Sequence, residues 1–117
     1  MSTINRTGLF VVFLVIFGVL TSLNVIAATI SPDQYEPDDD YIIAKEILTN
    51  GSLQTHNFHV AGDNDWVKFN TTNGTFYKIE TSNLQDGADT YIYLYGSDGA
   101  TIIRSNDDGG VGLASKI

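Results

Sequence analysis

The sequence predicts an all-β fold, an antiparallel β-sandwich or barrel, for the part of the chain that follows its N-terminal segment. From Leu53 onward, short runs of β-branched and aromatic residues alternate with Gly/Asn/Asp turns at regular spacing. Within these runs, apolar and polar side chains recur with the period of two that a strand requires. The whole chain has 117 residues, which is enough for one domain at most.

The first 28 residues predict an export signal. Arg6 precedes a nearly unbroken apolar run, residues 9–20, and small residues follow near Ala27. A basic start, an apolar centre and a small-residue exit are typical of a helical secretory signal peptide. An uncleaved N-terminal anchor is the alternative, because no charged residue occurs between Arg6 and Asp33. Both interpretations export the rest of the chain, so we expect a secreted, extracellular protein.

The chain from residue 29 onward is strongly acidic and contains no cysteine. It holds all 14 acidic side chains of the protein against five basic ones, an excess of nine negative charges. Such a surface disfavours nucleic acid and anionic lipid as partners and favours divalent cations. A membrane partner is expected only if the N-terminal segment stays uncleaved. Without disulfides, the domain depends on its core, on metal or on neighbouring segments for stability.

The remaining elements follow in chain order. Residues 29–40, with two prolines, predict an extended segment that we call the acidic arm. Residues 41–51 favour a short helical turn, and strands are expected near 53–60, 65–70, 75–81, 90–95 and 100–105. The chain stops after the turn at 106–112 with no closing strand. We therefore expect residues 41–117 to be an incomplete sandwich from a longer exported protein.

Acidic clusters suit Ca²⁺, a hard cation that takes roughly 6–8 oxygen ligands in flexible geometry. Three clusters occur: Glu36 with Asp38, Asp39 and Asp40; Asp63 with Asp65; and Asn106 with Asp107 and Asp108. Alternating acids in an extended arm present oxygens on one side, so Glu36 and Asp38 can reach one ion together. A solvated arm and ordinary turn formation are the alternatives. No cluster matches the EF-hand pattern.

Two further sets of side chains are candidate binding sites. His56 and His59, three positions apart on an expected strand, would point to opposite faces and so predict rim positions rather than a metal pair. Tyr91, Tyr93 and Tyr95 share one face of an expected strand and offer an aromatic strip to a polypeptide or sugar. The alternative is that the tyrosines stabilise the sheets by packing between them.

Nothing in the chain predicts catalysis. It has no cysteine, and no serine lies in a G-x-S-x-G elbow. The carboxylate pairs lie among polar turn residues, where we expect no burial to raise a pKa. We therefore expect no catalytic residue and no enzyme activity in this chain.

Taken together, five segments resemble the bacterial pre-peptidase C-terminal domain across nearly all of residues 35–117. They are "YEPDDDYIIAKEI", "GDNDWVKF", "GTFYKIET", "DTYIYLYGSDG" and "SNDDGGVGLASKI". The family is a jelly-roll-like antiparallel β-sandwich that accompanies secreted peptidases and other exported proteins. It is similar to the calcium-dependent collagen-binding domains of clostridial collagenases, and it is an accessory module rather than a catalytic domain.

The resemblance implies specific roles. It assigns calcium to the arm residues Glu36, Asp38 and Asp39 together with Asp63 and Asp65, and a turn to the segment that holds Asp107 and Asp108. It also implies a catalytic domain downstream and, as partners, an extracellular matrix protein, a peptide or a polysaccharide. The family's closing "G-T-Y-Y" strand pair is absent, and the module directly follows the export signal. The collagen-contacting aromatics lie mostly in strands beyond this chain's end, so collagen binding is not carried over.

Overall fold

Five strands form one sheet in the structure, a computed structural model that describes residues 9–14, 29–85 and 87–117. In chain order they are β1 (Leu9–Leu14), β2 (Lys45–Glu46), β3 (Asn64–Phe69), β4 (Tyr91–Tyr95) and β5 (Ile102–Asp107). Their order across the sheet is β2-β3-β1-β4-β5, antiparallel except for the β2–β3 pair. The described residues contain no helix, hence none long and apolar enough to cross a membrane. The all-β prediction is confirmed.

The central strand β1 comes from the segment that was expected to be a signal-peptide helix. Its backbone pairs with β3 on one side, Val11 opposite Val67, and with β4 on the other, Val11 opposite Leu94. The helix prediction is therefore wrong for these six residues. The physical reason is that "LFVVFL" is rich in strand-favouring residues, and β3 and β4 offer it two unpaired edges. The rest of residues 1–28 lies outside the described part, so cleavage and anchoring stay predictions.

The core lies on one face of the sheet. In β3 every second side chain is buried, and Val67 and Phe69 form the core with Ile92 of β4. Side chains from the flanking segments cover this face: Ile47, Tyr77, Ile79, Leu94 and Ile117. Because side chains of a strand alternate between faces, Trp66 and the tyrosines of β4 lie on the opposite face.

Three of the five strands predicted from the pattern are present, and two are not. β3, β4 and β5 correspond to the expected strands near 65–70, 90–95 and 100–105. Residues 53–60 are irregular, and residues 41–51 hold a turn and β2 in place of helix. Residues 75–81 form only a short backbone pairing with the C-terminal segment, where the Ile79 and Ile117 N–H groups donate to each other's carbonyl oxygens at 2.8 and 2.9 Å.

Candidate metal centre

The acidic arm folds back onto the start of β3. The backbone N–H of Trp66 donates to the carbonyl oxygen of Asp38 at 2.9 Å, which joins the arm to the sheet. The Asp33 carboxylate accepts hydrogen bonds from the N–H groups of Tyr35 and Asn57, both at 2.8 Å. The ring of Tyr35 also stacks on His56 at a centroid distance of 4.7 Å. The arm is thus held against the irregular segment 53–63 as well as against β3.

Three carboxylates are buried where the arm meets the sheet. Asp38 and Asp65 are 0% exposed and Asp63 is 2% exposed. Both carboxylate oxygens of Asp38 and Asp65, and Oδ1 of Asp63, lack any hydrogen-bond partner. In the described part of the chain, no lysine or arginine forms an ion pair with them. Burying an unpaired carboxylate is costly, so this arrangement needs either a nearby cation or protonation of the carboxylates.

Burial and mutual repulsion shift the titration of two of these groups. Desolvation, followed by the nearby charge of Glu36, raises the pKa of Asp38 from 3.8 to about 7. Desolvation, followed by the charge of Asp38, raises the pKa of Asp65 from 3.8 to about 8. The expectation that burial raises no carboxylate pKa is therefore wrong. In the absence of a cation, these two groups take up protons near neutral pH.

Ligand atoms from the arm, the irregular segment and β3 converge into three overlapping groups. Within each group the ligand atoms lie within 4.8 Å of one another. The groups are Glu36 with Asp38 and Asp65; Glu36 with His59 and Asp63; and Asp33 with His56 and Asp65. The first group offers only carboxylate oxygens, which is the ligand type that Ca²⁺ prefers. The other two each add an imidazole nitrogen.

The structure brings together four of the five predicted metal ligands, namely Glu36, Asp38, Asp63 and Asp65. Asp39 is exposed and belongs to none of the groups found among the described residues. Residues that the sequence did not assign to the site, Asp33, His56 and His59, also contribute.

The interpretation of the two histidines as rim residues was wrong because it assumed a strand at 53–60. In the irregular segment observed there, both rings turn toward the acidic arm. Nδ1 of His56 lies 3.4 Å from Oδ2 of Asp38, and Nδ1 of His59 lies 3.2 Å from Oε1 of Glu36. No period-two pattern applies to an irregular segment, so spacing alone could not reveal this convergence.

The third acidic cluster lies at the end of β5 and the start of the turn that follows it. Asp107 and Asp108 are exposed and lie near Asp89, whose Oδ1 has no hydrogen-bond partner. The Asn106 side-chain oxygen accepts hydrogen bonds from the N–H groups of Gly109 at 2.7 Å and Lys116 at 3.0 Å. This amide shapes the turn and ties it to the C-terminal segment.

The three tyrosines of β4 lie in a continuous row of half-buried aromatic rings. Tyr91 and Tyr93 stack at 4.6 Å, and Tyr93 and Tyr95 lie 6.2 Å apart. Trp66 extends the row at 5.0 Å from Tyr95, and Tyr41 extends it further at 6.1 Å from Trp66. The row supports the sheet by mutual packing and still presents partly exposed rings. Both interpretations of the tyrosines therefore stay open.

Comparison of the chain with protein-family models, with curated proteins and with solved structures finds no match. What the site does must accordingly be inferred from its own geometry.

Proposed function

We propose that the chain is a calcium-binding, non-catalytic accessory module of a secreted protein, such as a peptidase or another exported hydrolase. The proposed fold is the jelly-roll-like β-sandwich of the pre-peptidase C-terminal type. Calcium would fasten the acidic arm to β3 and thereby support stability, secretion or attachment to a substrate or matrix. The observation that carries the proposal is the set of buried carboxylates, Asp38, Asp63 and Asp65. Five of their six oxygens lack a hydrogen-bond partner, the exception being Oδ2 of Asp63.

The donor set favours calcium over a basic side chain or a soft metal. Glu36, Asp38 and Asp65 supply only oxygens, and the chain offers no cysteine. Glu36 and Asp38 belong to the acidic arm, and Asp65 belongs to β3. An ion bound by all three would therefore link the arm to the sheet. Extracellular modules bind Ca²⁺ with dissociation constants of ~10⁻⁴–10⁻³ M, which suits an exported protein.

Calcium is expected to raise the melting temperature of the protein, and to raise it more at pH 8 than at pH 6. At pH 6 protons occupy Asp38 and Asp65, whose pKa values are about 7 and about 8, so calcium must displace them. Calcium at about ten times its dissociation constant stabilises by ~1.4 kcal/mol. For a domain of this size, that corresponds to a rise of roughly 5–10 °C.

Thermal unfolding with chelator, with magnesium and with millimolar calcium measures this effect. The exposed Asp39→Asn is the matched control and should keep the full response. No rise at millimolar calcium would contradict the calcium assignment, and an undiminished rise in the Asp63→Ala/Asp65→Ala variant would contradict its placement.

A second candidate function is adhesion to a collagen-like protein or a polysaccharide through the aromatic row. The partial exposure of Tyr91, Tyr93 and Tyr95 favours it, because exposed ring faces and edges can contact a polypeptide or a sugar. We expect the triple Tyr→Ala variant to bind collagen or insoluble polysaccharide at least about tenfold more weakly than the unchanged protein, a loss of ~1.4 kcal/mol. Sedimentation with the insoluble ligand measures this.

Phe76→Ala serves as the control for the adhesion experiment. Phe76 is fully exposed, at 101%, and is no member of the aromatic row, so its removal should leave binding unchanged. Equal binding by the folded triple variant, or an equal loss with Phe76→Ala, would leave the tyrosines with a structural role only.

A further inference from the structure

We propose that His59, Glu36 and Asp63 form a second cation site, one that takes a divalent transition-metal ion such as Zn²⁺ beside the proposed calcium site. The inference extends the proposed function and rests on it in one respect, namely that Glu36 belongs to both sites. Its own donors are the His59 imidazole and the Asp63 carboxylate, which the all-oxygen group of Glu36, Asp38 and Asp65 does not use.

Three buried polar atoms converge at this site. Nδ1 of His59 lies 3.2 Å from Oε1 of Glu36 and 2.7 Å from Oδ2 of Asp63. Nδ1 of His59, Oε1 of Glu36 and Oδ1 of Asp63 are all buried without a hydrogen-bond partner, and Asp63 is only 2% exposed. Zinc bonds of ~2.0–2.2 Å to nitrogen and oxygen place neighbouring ligands roughly 3–3.5 Å apart. The 3.2 Å between Nδ1 of His59 and Oε1 of Glu36 fits two ligands of one ion, and a ligand oxygen of Asp63 lies within 4.8 Å of both.

Local hydrogen bonds orient both carboxylates toward this point. Oδ2 of Asp63 accepts the backbone N–H of His59 at 2.8 Å, which leaves Oδ1 available as a ligand. Oε2 of Glu36 accepts the backbone N–H of Asp38 at 3.2 Å, which leaves Oε1 available. The turn that brings His59 and Asp63 together is closed by a hydrogen bond from the Asp63 N–H to the Val60 carbonyl and contains Gly62 at φ +84°. The donors are thus positioned by the backbone itself.

The imidazole determines the class of ion. Calcium takes oxygen ligands, whereas imidazole nitrogen together with carboxylate suits zinc and other divalent transition metals. The competing arrangement is a protonated His59 that forms ion pairs with both carboxylates. A zinc ion and a proton would compete for the same Nδ1 atom, so the two arrangements give different responses to added zinc.

Zinc titration of the chelator-treated, full 117-residue chain tests the proposal. We expect one equivalent of zinc to bind in the presence of millimolar calcium, measured by calorimetry and by metal analysis after gel filtration. His59→Gln should weaken zinc binding at least about tenfold and preserve the rise in melting temperature with calcium. His56→Gln removes the imidazole of the neighbouring group, Asp33 with His56 and Asp65, and should lower zinc affinity less than His59→Gln does. Asp39→Asn, at an exposed carboxylate outside all the groups, is the control and should keep zinc affinity.

Nitrogen NMR of the histidine rings separates metal ligation from an ion pair. Zinc should shift the ¹⁵N resonance of His59 Nδ1 at constant pH, whereas an ion pair would respond to pH and not to zinc. Absence of bound zinc, unchanged zinc affinity in His59→Gln, or an equal loss in His56→Gln would overturn the inference.

Asp65→Asn distinguishes failure of this inference from failure of the calcium proposal. Asp65 belongs to the oxygen group and not to the His59 group, so its replacement should abolish the calcium response and preserve zinc binding. Zinc binding through His59 without any calcium response would refute the proposed function and support the second site. A calcium response without zinc binding would support the proposed function and refute the second site.

Discussion

Replacing Asp65 with asparagine is expected to stabilise the calcium-free protein and to abolish its response to calcium. Asparagine has nearly the same shape but carries no charge, so it relieves the repulsion of Asp65 by Asp38, Asp63, Asp33 and Glu36. It also removes an anionic ligand from the group that we assign to calcium. We expect a gain of at least ~1 kcal/mol for the calcium-free protein at pH 8, which corresponds to about 4–8 °C in melting temperature.

The pH dependence of this effect has a definite sign. The pKa of Asp65 is about 8 in the folded protein, against the value of 3.8 for an unperturbed aspartate. At pH values between these two, the folded state therefore binds more protons than the unfolded state. The stability of the calcium-free protein should therefore fall as pH rises from about 4 to about 8. Asp65→Asn should lessen this fall without removing it, since the pKa of Asp38 is also raised, to about 7.

Thermal unfolding at several pH values between 5 and 8, with chelator and with calcium, measures both parts of the prediction. The Asp39→Asn variant is a matched control, because the same substitution at an exposed carboxylate should change neither the calcium-free stability nor the calcium response. A calcium-free Asp65→Asn protein that is less stable than the unchanged protein at pH 8 would show that the carboxylate is stabilised by something other than a cation.

The second large effect is expected from a proline in the central strand. Val11→Pro removes a backbone donor from β1, which pairs with β3 on one side and β4 on the other. Proline is tolerated at sheet edges and at strand starts but not in the interior of a central strand. We expect a loss of more than ~2 kcal/mol in unfolding free energy, which places this change among the severe substitutions.

Chemical denaturation of the chain with residues 1–28 retained measures this loss, and hydrogen exchange shows where it arises. Amides of β3 and β4 should lose protection together in Val11→Pro, because these strands meet only through β1 in the described sheet. Val11→Thr keeps the backbone donor and the branched shape and should preserve protection. Unchanged exchange in Val11→Pro would place residues 9–14 outside the sheet in solution.

Alternation separates the two faces of β3 but could not identify the central strand of the sheet. In "NDWVKF" the period of two separates the buried Val67 and Phe69 from Trp66 and Lys68, as observed. β1 could not be recognised in this way, because "LFVVFL" is a continuous apolar run without alternation, which is also typical of the apolar centre of an export signal. Its identity as a strand follows only from its backbone pairing with β3 and with β4 in the folded chain.

The candidate site was predictable where it depends on local charge and unpredictable where it depends on long-range contacts. The acidic pairs Glu36/Asp38 and Asp63/Asp65 stand out in sequence as ligands for a cation. Asp33 joins them through a hydrogen bond from the Asn57 N–H, 24 positions away, which no local pattern encodes. The raised pKa values of Asp38 and Asp65 likewise follow from burial at the junction of arm and sheet, and not from their polar neighbours in sequence.

The position of the only tryptophan makes the candidate site visible by fluorescence. Trp66 directly follows Asp65, and its backbone N–H bonds the arm at Asp38. Its ring lies 5.0 Å from Tyr95 and 6.1 Å from Tyr41, so light absorbed by these tyrosines can be re-emitted by the indole. We therefore expect docking or release of the acidic arm to change the fluorescence of Trp66, so that no added label is needed to follow it.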